Sequence, residues 1–345
     1  MVATQEVYLP RNCTFNPTDW QALAPFWYPV AFSHEITTEK PYGTHLLDER
    51  LVIYRVSDGS IIVAQDLCLH RGAPLSLGCI ENDRLVCPYH GVQYDRDAKC
   101  VYIPAQPEAK IPSRLRLKTY SVIERYGLVW TRLIDNGPLP LPDMSEWEDP
   151  DYIQVLPNSV DLDAAAGRQV EGFLDVSHFA FIHAKSFGEQ DNPEVPDYAI
   201  EQTENGFRAD YISTVSNYAH GMKHLAPPDF LWRRLFELFV PFTAKLTVFF
   251  PHGNLHVLNA ASPISARKTR LFVPICRNFD KDAPLQDTLD FNDQVFYEDK
   301  AIVEEQWPED LPICLADEVH IAGDKSSITF RKRLAAIGLG KSFTS

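Results

Sequence analysis

The chain has 345 residues, 45% of them hydrophobic and 23% charged. That is the balance of a soluble globular protein, long enough for roughly two domains of about 150 residues each, and it excludes a disordered, collagen-like or coiled-coil chain. With 32 Lys and Arg against 47 Asp and Glu, the formal net charge is −15. This argues against nucleic-acid binding, which needs a basic face, and suits a basic protein partner.

No stretch reaches the roughly 18 uninterrupted apolar residues of a membrane span. Residues 231–250 come closest, but Arg233, Arg234, Glu237 and Lys245 interrupt them. The first residues, MVATQEVYLPRN, lack the basic region and apolar core of a secretory signal. A cytoplasmic chain with no membrane partner is expected, and its seven cysteines read as thiols or metal ligands, not as disulfides.

In chain order, residues from about 27 to 133 read as short strands. LVIYRV, IIVAQ, LVCPY, GVQY and GLVW are rich in Val, Ile and Tyr and are punctuated by Asp-Gly, Asn-Asp and Gly. An antiparallel β-domain is expected there. The Pro-rich, acidic segment NGPLPLPDMSEWEDP, 136–150, marks the main boundary. Beyond it, 167–183 reads as helix, 207–215, 244–250, 255–261 and 270–276 as strands, and 290–307 as a long helix. The fold class is α+β: an N-terminal antiparallel β-domain, then a domain with an antiparallel sheet flanked by helices.

The first constellation is DLCLHRGAPL followed by LVCPYHGVQYD: Cys68-x-His70, sixteen residues, then Cys87-x-x-His90. Two thiolates and two imidazoles at this spacing are metal ligands. Structural zinc would gather all four on one ion. A Rieske [2Fe–2S] centre would place both Cys on one iron and both His on the other. Each loop supplies one Cys and one His, followed by Gly72 or Gly91, where the backbone must fold closely. Zinc fingers usually pair Cys with Cys and His with His. The segment resembles the Rieske pattern. Where respiratory Rieske proteins carry an extra cysteine in each loop, this chain has Ala73 and Tyr89, which implies the low-potential type that serves oxygenases. Cys13, Cys79, Cys100, Cys276 and Cys314 have no ligand spacing and read as small buried hydrophobes.

The second constellation is EGFLDVSHFAFIH, 171–183, holding Asp175, His178 and His183. Residues five apart on a regular helix are separated by about 140° in projection. The helix must therefore end or bulge between the two His for them to share a ligand. The four-residue spacing of zinc proteases does not apply. Two buried His in an aromatic helix is the bland alternative. Together, the two constellations resemble the catalytic subunits of Rieske non-haem iron oxygenases over nearly the whole chain. That resemblance implies residues 27–135 as the Rieske domain and 151–345 as the catalytic domain, with 1–26 packing against the latter.

It further implies His178 and His183 as ligands of mononuclear Fe(II). Asp299, in the E-D-K run of the long helix, would be the third, with Asp293, Glu298 and Glu304 as competitors. Asp175 would bridge His178 to His90 of a neighbouring subunit, which implies a homotrimer. Gly172 stands where many relatives have Asn. Electrons would come from NAD(P)H through a flavin and iron–sulfur reductase, with O₂ as co-substrate.

The substrate site is expected beside the iron. Its candidates are Phe173, Phe179, Phe236, Phe239, Phe242, Phe249 and Phe250, the pair Arg233 and Arg234, and His256 near a hairpin turn at Gly253-Asn254. Arginine suits a carboxylate or sulfonate, so dihydroxylation of a small aromatic acid, phthalate- or benzoate-like, is the main expectation; one solvated and one surface-paired Arg is the bland alternative. The C-terminal segment DEVHIAGDKSSITFRKRLAAIGLG resembles a subgroup that includes methylxanthine N-demethylases, guanidinium-toxin hydroxylases and aromatic-acid oxygenases. N- or O-demethylation is therefore an alternative, as are a Rieske electron carrier and a zinc-binding protein. His220 and His224 read as loop or surface residues.

Overall fold

The structure is a computed structural model that describes residues 8–137 and 139–340; the extreme ends of the expected domains lie outside the described residues. The chain divides into two compact units at Pro140/Leu141.

The first unit contains α1 (Pro17–Leu23) and ten strands among its described residues: β1 (Tyr28–Phe32), β2 (Tyr42–Leu46), β3 (Glu49–Arg55), β4 (Ile61–Gln65), β5 (Cys79–Glu81), β6 (Arg84–Val86), β7 (Gln93–Tyr94), β8 (Cys100–Tyr102), β9 (Thr119–Arg125) and β10 (Leu128–Arg132). They form an antiparallel sheet in the order β1-β10-β9-β4-β3-β2 and a small one in the order β5-β6-β7-β8. Two-residue turns close three hairpins, at Leu47-Asp48, Asn82-Asp83 and Tyr126-Gly127, each with both φ angles positive. Such turns match the right-handed twist of the strands they join.

Residues 8–26 fall within the first unit. Trp20 Nε1 donates to Leu47 O at 2.9 Å, and Leu133 N donates to Ala24 O at 2.9 Å. An indole buried in a strand-rich core must find such an acceptor, and the one within reach is in the β2–β3 turn.

The second unit carries β11 (Ile153–Val155), β12 (Val160–Leu162), α2 (Ala166–Leu174), α3 (Phe179–Ile182), β13 (Ala199–Thr203), β14 (Gly206–Ser213), β15 (Trp232–Phe239), β16 (Thr243–Phe250), β17 (Gly253–Ser265), β18 (Lys268–Phe272), β19 (Ile275–Arg277), α4 (Leu285–Val303) and α5 (Lys325–Ala336). Its antiparallel sheet runs β11-β19-β17-β16-β15-β14-β13, with β12 and β18 paired beside β17. Register is tight: Arg234 pairs with Val248 and Val248 with Leu255, while Phe236 pairs with Leu246 and Leu246 with Val257. Side chains alternate across a strand, so these six share one face, which α2 and α4 cover.

Four local expectations are corrected. The helix expected over 167–183 stops at Leu174 and resumes at Phe179. The aromatic run from 232 to 239 is a strand that the sequence reading did not name. The strand expected over 270–276 breaks at Val273-Pro274, where proline lacks a ladder donor. The β16–β17 turn is Pro251-His252, because Phe250 already pairs with Gly253. Of the five unassigned cysteines, Cys100 and Cys276 are buried, whereas Cys13, Cys79 and Cys314 are only partly so.

Candidate metal centres and substrate cavity

The two cysteine loops of the first unit are built alike. Cys68 N donates to Ala73 O and Gly72 N to Cys68 O, both at 2.8 Å; Cys87 N donates to Val92 O at 2.8 Å and Gly91 N to Cys87 O at 3.0 Å. Gly72 and Gly91 sit at φ +72° and +66°, in the left-handed region that glycine enters freely. Both thiols are buried, while His70 and His90 are exposed with ring centroids 4.6 Å apart. Cys68 Sγ lies 3.3 Å from Tyr94 Oη. Buried sulfurs below and exposed imidazoles above suit a two-iron cluster whose histidine-bound iron faces outward.

In the second unit, α2 ends because Asp175 turns extended and its carboxylate accepts the backbone N–H groups of Ser177 at 2.9 Å and His178 at 3.2 Å. Such side-chain-to-backbone bonds compete with helix. The short α3 then sets His178 at its start and His183 at its end. The Nε2 atoms of the two histidines lie 3.2 Å apart, and Asp299 Oδ1 lies 3.4 Å from the first and 3.2 Å from the second. Two imidazoles and one carboxylate converging on one point is the donor set of a facial triad.

Each imidazole is oriented from behind. His178 Nδ1 lies 2.9 Å from Asp175 Oδ2, and His183 Nδ1 lies 2.9 Å from Glu298 Oε2, which also accepts from Ser186 Oγ at 2.7 Å. A carboxylate taking the Nδ1 proton leaves the Nε2 lone pair free for a metal. Burial works against protonation of His183, but Asp299 and Glu298 outweigh it and raise its pKa above the ordinary value. The spot favours positive charge. Burial likewise opposes ionisation of Asp175, and its bond to His178 outweighs that and lowers its pKa. The described residues thus fit an iron ion at this triad.

Asp299 reaches the triad along one face of α4, where Asp287, Phe291, Val295 and Asp299 recur every fourth residue along the cavity wall. Glu298, named earlier as a competing ligand, stands behind His183 instead. Asp293 and Glu304 are not in the convergent group; Glu304 pairs with Lys300 at 2.7 Å. Ser186 had no role in the sequence reading, since it follows no ligand spacing.

The triad opens into a cavity of about 580 Å³. Its apolar lining includes Phe173, Phe179, Phe236, Phe250 and Phe291; its polar lining includes Gln169, Asn217, Arg234, Asn259 and Arg277, and Asp280, Asp287 and Asp290 toward α4. Phe239, Phe242 and Phe249 do not line it. Two proposed anchors are corrected by strand alternation. Arg233 projects from the opposite face and pairs with Asp210 at 2.7 Å. His256, between the cavity residues Leu255 and Val257, also points away, to Thr247 Oγ1 at 3.0 Å and Tyr152 Oη at 3.3 Å. Arg234 does line the cavity. His220 is an exposed turn residue bonded to Ala184 O, and His224 is bonded to Gly221 O.

Comparison with known proteins places both halves. Residues 26–121 match the Rieske [2Fe-2S] domain model, and residues 162–338 match the vanillate O-demethylase oxygenase C-terminal domain. The chain is 36% identical over 320 residues to methylxanthine N1-demethylase NdmA of Pseudomonas putida, covering 90% of this chain and 88% of that protein. It is 31% identical over 323 residues to methylxanthine N3-demethylase NdmB of the same organism, with the same coverage. The structure of NdmA with caffeine superposes with a TM-score of 0.82 at 32% identity, covering 92% of each chain. No helix among the described residues is long and apolar enough to cross a membrane. With a Rieske domain, a converged His–His–Asp triad and relatives of this extent, the chain belongs to the Rieske non-haem iron oxygenases as a catalytic subunit, a family that uses a [2Fe–2S] cluster, mononuclear iron, O₂ and electrons from a reductase.

Proposed function

We propose that this chain is the terminal oxygenase of an N-demethylating system acting on an uncharged, N-methylated heterocycle of the methylxanthine kind. The observation that carries this reading is similarity to two methylxanthine demethylases across nine-tenths of the chain. The cavity supports it. The expected dihydroxylation of an aromatic acid needed Arg233 or Arg234 to point inward; Arg233 faces outward, and Arg234, which does line the cavity, spends three of its five N–H donors on protein acceptors.

On this reading Cys68, His70, Cys87 and His90 would hold the [2Fe–2S] cluster, and His178, His183 and Asp299 the mononuclear iron. When bound, these groups supply O₂ activation and the electrons for it. The reaction balances as substrate N–CH₃ + O₂ + NAD(P)H + H⁺ giving substrate N–H + formaldehyde + H₂O + NAD(P)⁺. The chain's own residues do three things. Asp175 and Glu298 hold the two imidazole Nδ1 protons. Phe179 and Phe187 pack on the rings, with Phe187 stacked on His183 at 4.8 Å. The apolar wall excludes water from a flat substrate. Asp175 additionally accepts a hydrogen bond from His90 of a second copy in a homotrimer.

The test is O₂ uptake with formaldehyde release from caffeine, vanillate and phthalate, using reconstituted holoenzyme and an NAD(P)H-dependent reductase. Formaldehyde, O₂ and NAD(P)H in equal amounts from caffeine is the expected result. Turnover of phthalate to a diol without formaldehyde would overturn the proposal.

A further inference from the structure

Four cavity-lining side chains each carry a buried polar atom with no partner among the described residues: Gln169 Oε1, Asn217 Nδ2, Asn259 Oδ1 and Arg277 Nε. Asn217 is the one whose direction is determined by chemistry. Arg234 Nε can only donate, and it lies 2.9 Å from Asn217 Oδ1, so the amide oxygen must face the guanidinium. The amide NH₂ is then left without a protein acceptor among the described residues. Arg234 is itself held rigidly. It is 1% exposed, donates to Ser213 Oγ at 2.9 Å and Val215 O at 2.8 Å, and lies over the rings of Phe179 and Tyr211 at 5.5 and 5.6 Å. Among the described residues no carboxylate lies within ion-pair distance of it. Burial lowers its pKa to about 10, so it still carries its charge at neutral pH.

We propose that Asn217 is a specificity-determining residue whose amide NH₂ donates to a carbonyl oxygen or ring nitrogen of an uncharged substrate, and that Arg234 is the positioning residue that fixes which way this amide faces. The inference deepens the demethylase reading and rests on it. A donor left without a protein acceptor is satisfied when a ligand supplies one. The neighbouring guanidinium polarises the Asn217 amide and sharpens its N–H as a donor. Three of the five N–H donors of Arg234 are already spent on neutral protein acceptors. The loop between β14 and β15 carries Asn217 and β15 carries Arg234, so substrate discrimination sits across from α4 and its iron ligand.

The experiment uses holoenzyme and two probes, caffeine and vanillate, with calorimetric binding constants beside steady-state KM and kcat for formaldehyde release. N217D is nearly isosteric with the wild type, cannot donate, and would pair with Arg234; N217L removes the amide. Both should weaken caffeine binding and raise KM about tenfold, with kcat, iron content and the visible Rieske spectrum near wild type. R234Q should show the same loss, and adding N217L to it should cost little more, because the two act as one unit. If R234Q does not retain iron, N217D and N217L decide alone. Wild type that demethylates caffeine while N217D and N217L bind it normally overturns the anchor and leaves the demethylase reading standing. Wild type that fails to bind or demethylate caffeine, whether or not it turns over vanillate, overturns that reading and the uncharged-substrate anchor with it.

Discussion

Glu298 Oε2 lies 2.9 Å from His183 Nδ1, in the same relation to that imidazole as Asp175 bears to His178 at 2.9 Å. The two ring protons are thus taken by two carboxylates from different elements, one at the end of α2 and one on α4, and both Nε2 atoms turn toward Asp299. Adjacent residues of α4 have opposite duties: Asp299 faces the shared point, and Glu298 supports a histidine from behind.

Replacing Glu298 by Ala should therefore lower iron affinity about 10- to 100-fold, the usual loss when a carboxylate behind a metal-bound histidine is removed. Metal analysis after dialysis measures it. E298Q should retain more iron than E298A, because the amide oxygen can still accept the Nδ1 proton.

Asp175→Ala should leave the visible spectrum of the Rieske centre intact and lower product formation more than tenfold. The side chain both orients His178 and closes the turn through Ser177 and His178 N–H groups. Full turnover in this variant would remove the case for a hydrogen-bonded route from His90 of a neighbouring subunit.

Glu318 binds Arg168 Nη2 at 2.7 Å and also bonds Arg331, which is held in turn by Glu171. Burial raises the Glu318 pKa, and the two arginines outweigh that and lower it. A depressed folded pKa adds stability that is complete above the unfolded value, about 4.3, and is lost as pH falls through the folded one. E318Q should cost about 2 kcal/mol at pH 7, and its gap from wild type should narrow as pH falls below about 4.3 and toward the lowered folded pKa. Urea unfolding at both pH values checks the sign.

His256→Leu should leave KM unchanged, since the side chain lies on the far face of the sheet from the cavity. Loss of the Thr247 and Tyr152 bonds should cost about 1 kcal/mol in stability. A large rise in KM would restore His256 to the substrate site.

Gly188→Ala should release the mononuclear iron. A Cβ at this position would come within 2.0 Å of Phe179 O and 2.9 Å of His183 O, and Gly188 N already donates to His183 O at 2.7 Å. The backbone between the two histidines would have to move. Iron content beside an unchanged Rieske spectrum reads the effect.

The two metal motifs, the split between a β-rich first unit and an α+β second one, and the fact that one regular helix cannot serve both His178 and His183 were legible in the residues alone, although the break falls before His178 and the two histidines flank α3. Ligand chemistry is a matter of residue type and short spacing, and a five-residue separation is incompatible with one helical face. The roles of Arg233, Arg234, His256 and Glu298 were not. Arg233 and Arg234 are neighbours in sequence, yet one meets Asp210 and the other is sealed in the cavity wall. Which of the two turns inward depends on the register of β15 with β14 and β16, and a shift of one residue reverses every side chain. Register is set by long-range pairing between strands, so the metal chemistry was written locally, whereas the substrate cavity existed only once the sheet had formed.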